Sequence, residues 1–380
     1  MEKIFQDSIT DARRAFREIH ILREMGTHAN IIDLQEVFTP SYDLISSSSS
    51  PSLSLRGPSD SPTQRSPHSP VKVQDFQDLY AVFEYMDTDL QKIFKSNQPL
   101  GIEHIKWIAY QMMNGLKYIH SARVIHRDLK PANILINCDD CTTKIADFGL
   151  SRVVDESLVV HPLKTVFGFQ EPPNLRRTLT QHVITRWYRA PEVILKQRYT
   201  SAVDVWSMGC ILAEMFACQT ENQGLSSKRP LFPGEKCGEL SLDDDEIEDF
   251  DAAFNDEASQ LMIIFKILGT PKRDDVSIYD RDTQQNLTNM RMIPPKDLAL
   301  LYPHTPSEGL DLLRQMLLFD PMKRIDCDNA LKHPFFQTCR DPALEVNAPH
   351  FLNIDEEKIM ESKEKLFQSI KHELDQYPDL

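Results

Sequence analysis

The stretch His-Arg-Asp-Leu-Lys-Pro-Ala-Asn at residues 126–133 decides the fold of this chain, together with two shorter motifs that follow it. Asp-Phe-Gly occupies residues 147–149, and Ala-Pro-Glu occupies residues 190–192. Each motif alone is a weak signal, because an aspartate in a loop is usually structural or simply solvated. Their order along one chain, with the Asp-x-x-x-x-Asn spacing of residues 128–133, indicates a phosphoryl-transfer site.

Phosphoryl transfer from a nucleotide to a hydroxyl group needs little covalent help, so the residues of such a site position the reactants and neutralise charge. Asp128 is predicted to accept the proton of the acceptor hydroxyl. Asn133 and Asp147 are predicted to hold Mg²⁺, and Lys130 is predicted to lie against the transferred phosphate. The expected cofactors are therefore ATP and Mg²⁺.

Length and composition favour a large, unsecreted globular protein. The chain has 380 residues, of which 41% are hydrophobic, and this is enough for a bilobal unit with a sizeable core. It contains neither an apolar run of about 18 residues or more nor an apolar stretch after the first charged residues, so we expect no membrane association. We expect a cytoplasmic protein, with entry into the nucleus as a further expectation.

The net charge of −15 disfavours nucleic acid as a partner, because binding to a phosphate backbone requires basic patches. Basic partners are favoured instead, although an acidic surface can also serve solubility alone. The seven cysteines are an odd number and fit a reducing compartment. Cys138 and Cys141 form a Cys-x-x-Cys pair between two strand-like runs, which predicts a hairpin tip rather than a zinc or redox site.

Hydrophobic periodicity predicts an α+β, bilobal fold. Residues 1–86 form a small lobe that is incomplete, with one helix at 11–25, strands at 30–38 and 79–85, and a disordered Ser/Pro insertion at 39–73. Residues 87–336 form a larger lobe that is mainly α-helical, with long helices at 101–121 and 201–218. The other expected segments are an activation segment at 147–192, an acidic surface insertion at 234–256 and a C-terminal extension at 337–380 that packs back on the core.

Three further segments carry a resemblance to a known family. Residues 180–192, 204–210 and 333–335 are closely similar to the mitogen-activated protein kinases, and the resemblance covers nearly the whole chain outside the insertions. It implies a protein serine/threonine kinase that acts in signalling on Ser or Thr followed by Pro. It also implies protein substrates, basic docking-motif peptides and an upstream kinase as partners. The acidic dock would be Asp355, Glu356 and Glu357, although these residues could equally be an exposed helix start.

The resemblance assigns a nucleotide pocket. Phe83 would stand at the back of the adenine pocket, residues 84–86 would form the hinge, and Asp89 would face the ribose. Leu135 would form part of the pocket floor, although from the residues alone Phe83 and Leu135 are ordinary core positions. The cofactor-binding residues expected in this way are Phe83, Glu84, Met86, Asp89, Leu135 and the helix glutamate Glu18.

The resemblance also assigns a regulatory site at Thr180. The guanidinium groups expected to gather its phosphate belong to Arg17, Arg127 and Arg152. His182 stands where most members of the family have tyrosine. Autophosphorylation of Thr180 is therefore a hypothesis beside activation by an upstream kinase.

Three further residues are expected to be structural. Glu192 and Arg324 resemble the buried pair that ties the end of the activation segment to the large lobe. Asp204 resembles the residue that braces the catalytic loop from the central helix.

A glycine-rich loop and a strand lysine, which such a site requires, are expected upstream of the sequence. Aligned on Glu18, the strand lysine falls at or just before Glu2. We therefore expect an N-terminally truncated chain, from a start codon placed too far downstream or from a short isoform that catalyses poorly. A pseudokinase scaffold is the remaining alternative, and it is weakened because Asp128, Asn133 and Asp147 are all present.

Overall fold

The computed structural model describes residues 9–39, 79–96, 98–154, 186–195, 197, 199–219, 230–234, 260–354, 359 and 362–376. Nearly all of the predicted Ser/Pro insertion at 39–73 and of the acidic insertion at 234–256 lies outside the described residues, as do all of residues 155–185. Within them, no helix combines the length and apolar character needed to cross a bilayer.

The small lobe consists of one helix packed on a two-stranded antiparallel sheet. Helix α1 spans Ile9–Met25, strand β1 spans Leu34–Phe38 and strand β2 spans Tyr80–Phe83. The apolar face of α1 that the sequence predicts includes Phe16 and Ile19, which pack with Val37 of β1 and Leu79. The other face of the sheet carries Phe38 stacked on Tyr80, and both side chains are partly exposed.

The large lobe is mainly helical, which confirms the predicted fold class. Helix α2 spans Leu90–Lys95, α3 spans Ile102–Ser121, α4 spans Pro191–Ile194 and α5 spans Ala202–Ala217. Every residue of α5 from Val203 to Ala217 is buried, so this helix is the centre of the lobe. The remaining helices are α6 at Gln260–Leu268, α7 at Arg281–Asn289, α8 at Leu298–Leu301, α9 at Ser307–Met316, α10 at Cys327–Leu331 and α11 at Lys363–Leu374.

Short strands between β2 and α4 position the central loops. Strand β3 at Thr88–Asp89, β5 at Ile134–Ile136 and β6 at Thr143–Ile145 form a sheet in the order β3-β5-β6. Strand β4 at Val124–Ile125 pairs with β7 at Arg152–Val153. Cys138 and Cys141 lie at the tip of the β5–β6 hairpin with free thiols. In the described part of the chain, no group of three ligands could hold a metal ion.

Asn30 joins the two lobes and shortens the predicted strand at 30–38. Its side chain donates to Gln111 Oε1 at 3.1 Å and to the Thr143 carbonyl at 3.0 Å. Ile31 then forms an isolated bridge with Ile145, so the ladder to β2 begins only at Leu34. Polar contacts with the large lobe therefore replace strand pairing at residues 30–33.

Helix α11 lies against α1 of the small lobe. Leu366 and Ile370 join the apolar cluster of Phe16 and Ile19. At the C-terminal end of the contact, Glu373 Oε1 lies 2.7 Å from His20 Nδ1. Glu373 Oε2 lies 2.8 Å from Arg23 Nη1, and the Glu373 side chain is only 3% exposed. A buried carboxylate between an arginine and a histidine of α1 therefore fixes the position of α11 on α1.

Replacement of this carboxylate is expected to destabilise the small lobe. Glu373→Ala removes the buried acidic partner of His20 and leaves Arg23 paired only with the more exposed Glu24, 2.7 Å away, so it should lower the free energy of unfolding by about 3 kcal/mol. The control is Glu364→Ala, which removes an exposed carboxylate from the first turn of the same helix. Thermal unfolding of the 380-residue chain measures both variants. Equal melting temperatures for the two variants would show that the buried ion pair does not anchor α11.

Candidate active site

The loop of residues 126–133 contains a left-handed backbone conformation that neighbouring residues must stabilise. After β4, Arg127 adopts a φ of 67°, which is unfavourable for a residue with a side chain. The carboxylate of Asp204 on α5 holds this turn: Oδ2 accepts the His126 N–H and Oδ1 accepts the Arg127 N–H, each at 2.9 Å. The chain then enters the short 3-10 helix Pro131–Asn133, which leads directly into β5.

Asp204 is fully buried and has a third hydrogen-bond partner, His120 of α3. Nε2 of His120 lies 2.9 Å from Asp204 Oδ2. Burial alone would raise the pKa of Asp204, but the hydrogen bond and charge of His120 and the N–H of Arg127 outweigh it and lower the pKa. The carboxylate is therefore ionised, and it makes charge-assisted hydrogen bonds to the loop.

Four of the predicted site residues meet beyond this turn. Lys130 Nζ donates to Asp128 Oδ2 at 2.6 Å. Asn133 Nδ2 donates to the Asp128 carbonyl oxygen at 2.9 Å and lies 3.3 Å from Asp147 Oδ2. The loop of residues 126–133 and the turn of residues 147–149 thus place Asp128, Asn133 and Asp147 around one point.

Phe148 orients the Asp147 turn by packing into the core. Its ring is fully buried and meets the His126 ring edge-on, with centroids 5.1 Å apart. Asp147 itself has a φ of 67°, so this anchored neighbour holds a backbone conformation that is unfavourable in isolation. The position of the Asp147 carboxylate thus depends on an apolar contact one residue away.

Glu18 reaches the same turn from the small lobe. Burial and, second, the nearby charge of Asp147 together raise the pKa of Glu18 to about 7, against a hydrogen bond from the Phe148 backbone N–H. Two carboxyl groups that share a low-dielectric site resist simultaneous ionisation. A cation beside them would relieve this repulsion.

The predicted nucleotide-pocket residues lie along the junction of the lobes. Glu84 follows β2, and its N–H donates to the Asp33 carbonyl at 3.0 Å. Its Oε1 accepts the Asp33 N–H at 2.7 Å and lies 2.8 Å from Lys144 Nζ. Phe83, Met86 and Leu135 are partly buried and pack against the main core.

The side chain of Asp89, another predicted pocket residue, caps a helix. It is the N-cap of α2, accepting the Lys92 N–H at 2.9 Å, and it also pairs with Lys92 Nζ at 3.0 Å. In the sheet it lies opposite Leu135. Its contact with a ribose stays a prediction.

Two of the predicted regulatory arginines hold the start of the activation segment. Arg17 Nη1 donates to the Gly149 carbonyl and Arg127 Nε donates to the Leu150 carbonyl, each at 2.7 Å. Arg152 lies two residues further on, in β7, opposite Ile125. The guanidinium groups of Arg17 and Arg127 thus bind two consecutive carbonyl groups, at residues 149 and 150.

Several predicted functional residues lie outside the described residues, and their roles stay predictions. They are Thr180, His182, Asp355, Glu356 and Glu357.

The far end of the activation segment is anchored by the predicted ion pair. Arg324 Nη1 and Nη2 donate to the two oxygens of Glu192 at 2.8 Å and 3.1 Å, and both side chains are fully buried. Arg324 also donates to the Ala202 carbonyl at the start of α5 at 2.7 Å. Residue 192 is therefore fixed to the central helix that carries Asp204.

Sequence reasoning missed Lys144 and His120. Lys144 pairs with Glu84, the predicted hinge residue, and its position on β6 beside apolar neighbours gave no charge signal. His120 occupies the last turn of a helix that was predicted, but its partner Asp204 is distant in sequence. No pattern in one sequence reports such a contact.

Comparisons with known proteins identify the family of this chain. A protein kinase domain model matches residues 1–336. "Mitogen-activated protein kinase 6" of Arabidopsis thaliana is 33% identical over 368 residues, which cover 97% of this chain and 73% of that protein. The chain belongs to the mitogen-activated protein kinase family.

Two further relatives have a similar sequence identity to this chain. "Mitogen-activated protein kinase 3" of Arabidopsis thaliana is 35% identical over 338 residues, covering 88% of this kinase and 70% of that protein. "Extracellular signal-regulated kinase 1" of Dictyostelium discoideum is 35% identical over 370 residues, covering 97% of this kinase. This kinase spans 55% of the length of the Dictyostelium protein.

Protein kinases use ATP and Mg²⁺, and the residues present fit both. Hard cations prefer carboxylate and amide oxygens, which Asp147 and Asn133 supply. The hydrogen bonds of the Asn133 amide described above all use Nδ2 as the donor, which leaves Oδ1 suited to a cation. Burial is the main cause of the raised pKa of Glu18, and the charge of Asp147 contributes second, so a cation here would act on two neighbouring carboxyl groups.

Loss of the buried arginine is expected to destabilise this kinase strongly. Arg324→Leu leaves the Glu192 carboxylate buried without its partner and should cost about 3–5 kcal/mol of unfolding free energy. The matched control is Arg314→Leu, because Arg314 lies 3.8 Å from Asp297 in an exposed pair. Chemical denaturation followed by tryptophan fluorescence measures the difference. Recovery of stability in the double variant Glu192→Gln/Arg324→Met would assign the loss to the unpaired charge, whereas a loss as large as that in the single variant would contradict this cause.

Proposed function

We propose that this kinase transfers the γ-phosphoryl group of ATP to serine or threonine residues that precede proline in protein substrates. The observation that carries the proposal is the meeting of Asp128, Asn133 and Asp147, with Asn133 Nδ2 2.9 Å from the Asp128 carbonyl and 3.3 Å from Asp147 Oδ2. A scaffold would not need these oxygen ligands and the carboxylate base in one place. The arrangement therefore favours a catalyst over a binding module.

The residues divide the work of an in-line displacement. Asp128 would accept the hydrogen bond of the substrate hydroxyl and orient its oxygen for attack. Lys130, which already bonds Asp128 Oδ2, would place its charge beside the transferred group. Asn133 and Asp147 would hold Mg²⁺, which neutralises charge on the phosphate oxygens when it is bound.

Regulation would depend on phosphorylation of Thr180, by an upstream kinase or by the kinase itself. Arg17 and Arg127 support this proposal because they lie together on the carbonyls of Gly149 and Leu150. Burial lowers the pKa of Arg13, and the charge of Arg17 lowers it further, so the region is rich in positive charge. A phosphate in this region would gain charge-assisted hydrogen bonds.

The partners and the location follow from family membership. We propose protein substrates with Ser-Pro or Thr-Pro sites and basic peptides that dock on the acidic residues 355–357. By the same family resemblance, the kinase would act in the cytoplasm and the nucleus.

Removal of the proposed base should abolish transfer. Asp128→Asn is expected to lower the rate of phosphate incorporation by about 10²–10⁴-fold. The control Asp139→Asn changes an exposed residue at the tip of the β5–β6 hairpin and should leave the rate unchanged. The assay follows radioactive phosphate from ATP into two peptides that differ only in Ser-Pro against Ser-Ala. Transfer at equal rates to both peptides would contradict the substrate class, and equal rates for the wild type and Asp128→Asn would contradict the proposed catalysis.

Phosphate on Thr180 distinguishes the two routes of activation. If the kinase phosphorylates itself, the wild-type chain purified from bacteria should carry phosphate on Thr180 and Asp128→Asn should carry none. Intact mass and peptide mapping measure the occupancy. Phosphate on Thr180 in Asp128→Asn, or none in an active wild type, would exclude autophosphorylation.

A further inference from the structure

Cys327, His120 and Asp204 form a row of three polar side chains behind the catalytic loop. The His120 ring lies between the other two: its Nδ1 is 3.6 Å from Cys327 Sγ, and its Nε2 is 2.9 Å from Asp204 Oδ2. Because these contacts use opposite sides of the ring, a doubly protonated His120 donates one hydrogen bond to the thiol group and one to the carboxylate. The order of nucleophile, base and orienting carboxylate is the arrangement that activates cysteines in other settings.

Cys327 is held firmly in this row. It begins α10, which packs on α3 through the fully buried Ala330 and Leu331. The adjacent pair of Lys117 Nζ and Asp328 Oδ1, 3.1 Å apart, joins the same two helices. The distance between Cys327 and His120 is therefore set by the packing of two helices.

The charge state of His120 favours reactivity. Burial alone would lower the pKa of His120, but charge on Cys327 and the hydrogen bond to Asp204 outweigh burial and raise the pKa to about 10. A positively charged imidazole next to a thiol stabilises the thiolate, which is the nucleophilic form of cysteine. The raised pKa keeps His120 protonated beside the Cys327 sulfur.

Cys210 of α5 provides an internal comparison. Cys210 and Cys327 are similarly buried, with 2% and 5% exposure. Burial raises the pKa of the Cys210 thiol, an effect that Arg324 opposes only in part. Burial without a histidine partner thus makes a cysteine inert, and Cys210 gives the reactivity expected for Cys327 if its histidine had no effect.

We propose that Cys327 is a peroxide-reactive cysteine whose oxidation weakens the hold of Asp204 on the catalytic loop. The His120 side chain keeps 14% exposure, which gives a water-sized oxidant a route to the row. Among the residues that the structure describes, no three His, Cys, Asp or Glu side chains form a group that could hold a metal ion.

The oxidation of Cys327 requires only hydrogen peroxide and the proton of His120. The Cys327 thiolate attacks one oxygen of hydrogen peroxide, the S–O bond forms and the O–O bond breaks. The leaving hydroxide takes the Nδ1 proton of His120 and departs as water, so sulfur loses two electrons and peroxide gains them. The products are a sulfenic acid at Cys327 and a neutral imidazole at His120.

Loss of the charge on His120 weakens one of the hydrogen bonds that the Asp204 carboxylate accepts. Asp204 Oδ2 is shared between His120 Nε2 and the His126 N–H, and Oδ1 holds the Arg127 N–H. A neutral donor makes a weaker hydrogen bond to a carboxylate than a charged one. Because His120 also positions the Asp204 carboxylate, its weaker hydrogen bond leaves the carboxylate less firmly placed, and Cys327 oxidation is transmitted in this way to the two amides that fix the positive φ of Arg127.

Thiol labelling of the full chain tests the first half of the proposal. Dilute hydrogen peroxide followed by dimedone traps sulfenic acids, and mass spectrometry quantifies the peptides that contain Cys327 and Cys210. Cys327 should react at least about tenfold faster than Cys210, and His120→Asn should abolish this preference. The ratio of the two rates is the readout, because general loosening of a variant would expose both cysteines. A ratio near one in the wild type, or an unchanged ratio in His120→Asn, would overturn the proposal.

Amide hydrogen exchange tests the second half. After peroxide treatment, the N–H groups of residues 126 and 127 should exchange about fivefold faster, and a thiol reductant should restore the original rate. Cys327→Ser is the control, and its exchange at these positions should not respond to peroxide. Oxidation of Cys327 without any change at residues 126 and 127 would refute the link to the catalytic loop. Neither readout uses phosphoryl transfer, so both are independent of the proposed function.

Discussion

The carboxylate of Asp204 is the constraint on which the rest of the site depends. It is fully buried, and it satisfies two consecutive backbone N–H groups where the chain bends through Arg127. Without these acceptors, the bend would have neither its hydrogen bonds nor a reason to keep a positive φ. The positions of Asp128, Lys130 and Asn133 follow from this bend, because they come immediately after it. Helix α5 thus supports the catalytic loop from inside the large lobe.

Helix α1 connects several parts of the molecule through different faces. Arg17 binds the Gly149 carbonyl beside the Asp147 turn, whereas His20 and Arg23 meet Glu373 of α11. Phe16 and Ile19, which lie on the same face as His20 and Arg23, pack against the sheet. A change in the angle of α1 would therefore be felt in the activation segment, the sheet and the C-terminal helix together. Such a shared element is a physical basis for coupling between distant parts of a domain.

Much of the fold and the types of the site residues could be predicted from the sequence. Helices were predicted at 11–25, 101–121 and 201–218 and are found at Ile9–Met25, Ile102–Ser121 and Ala202–Ala217, because long runs with a 3.6-residue period are a strong signal. The strand predicted from residue 30 begins at Leu34, since side-chain hydrogen bonds of Asn30 compete with strand pairing. Local periodicity does not report such long-range contacts.

The contacts that were not predicted share this cause. Glu373 with Arg23, His120 with Cys327 and Lys144 with Glu84 all join residues far apart in the chain. Motif spacing identifies which residue types a site contains, whereas packing decides which neighbours tune their charge. The pKa of Glu18 depends in the same way on burial and on Asp147, which lies on another element.

The place of α11 also bears on where this domain ends. The kinase domain match stops at residue 336, yet Leu366 and Ile370 share one apolar cluster with Phe16 of α1. A boundary drawn at the end of the match would cut through a single hydrophobic core and leave its small-lobe half open to water. Helices α1 and α11 therefore belong to one cooperative folding unit, although they lie far apart in the sequence.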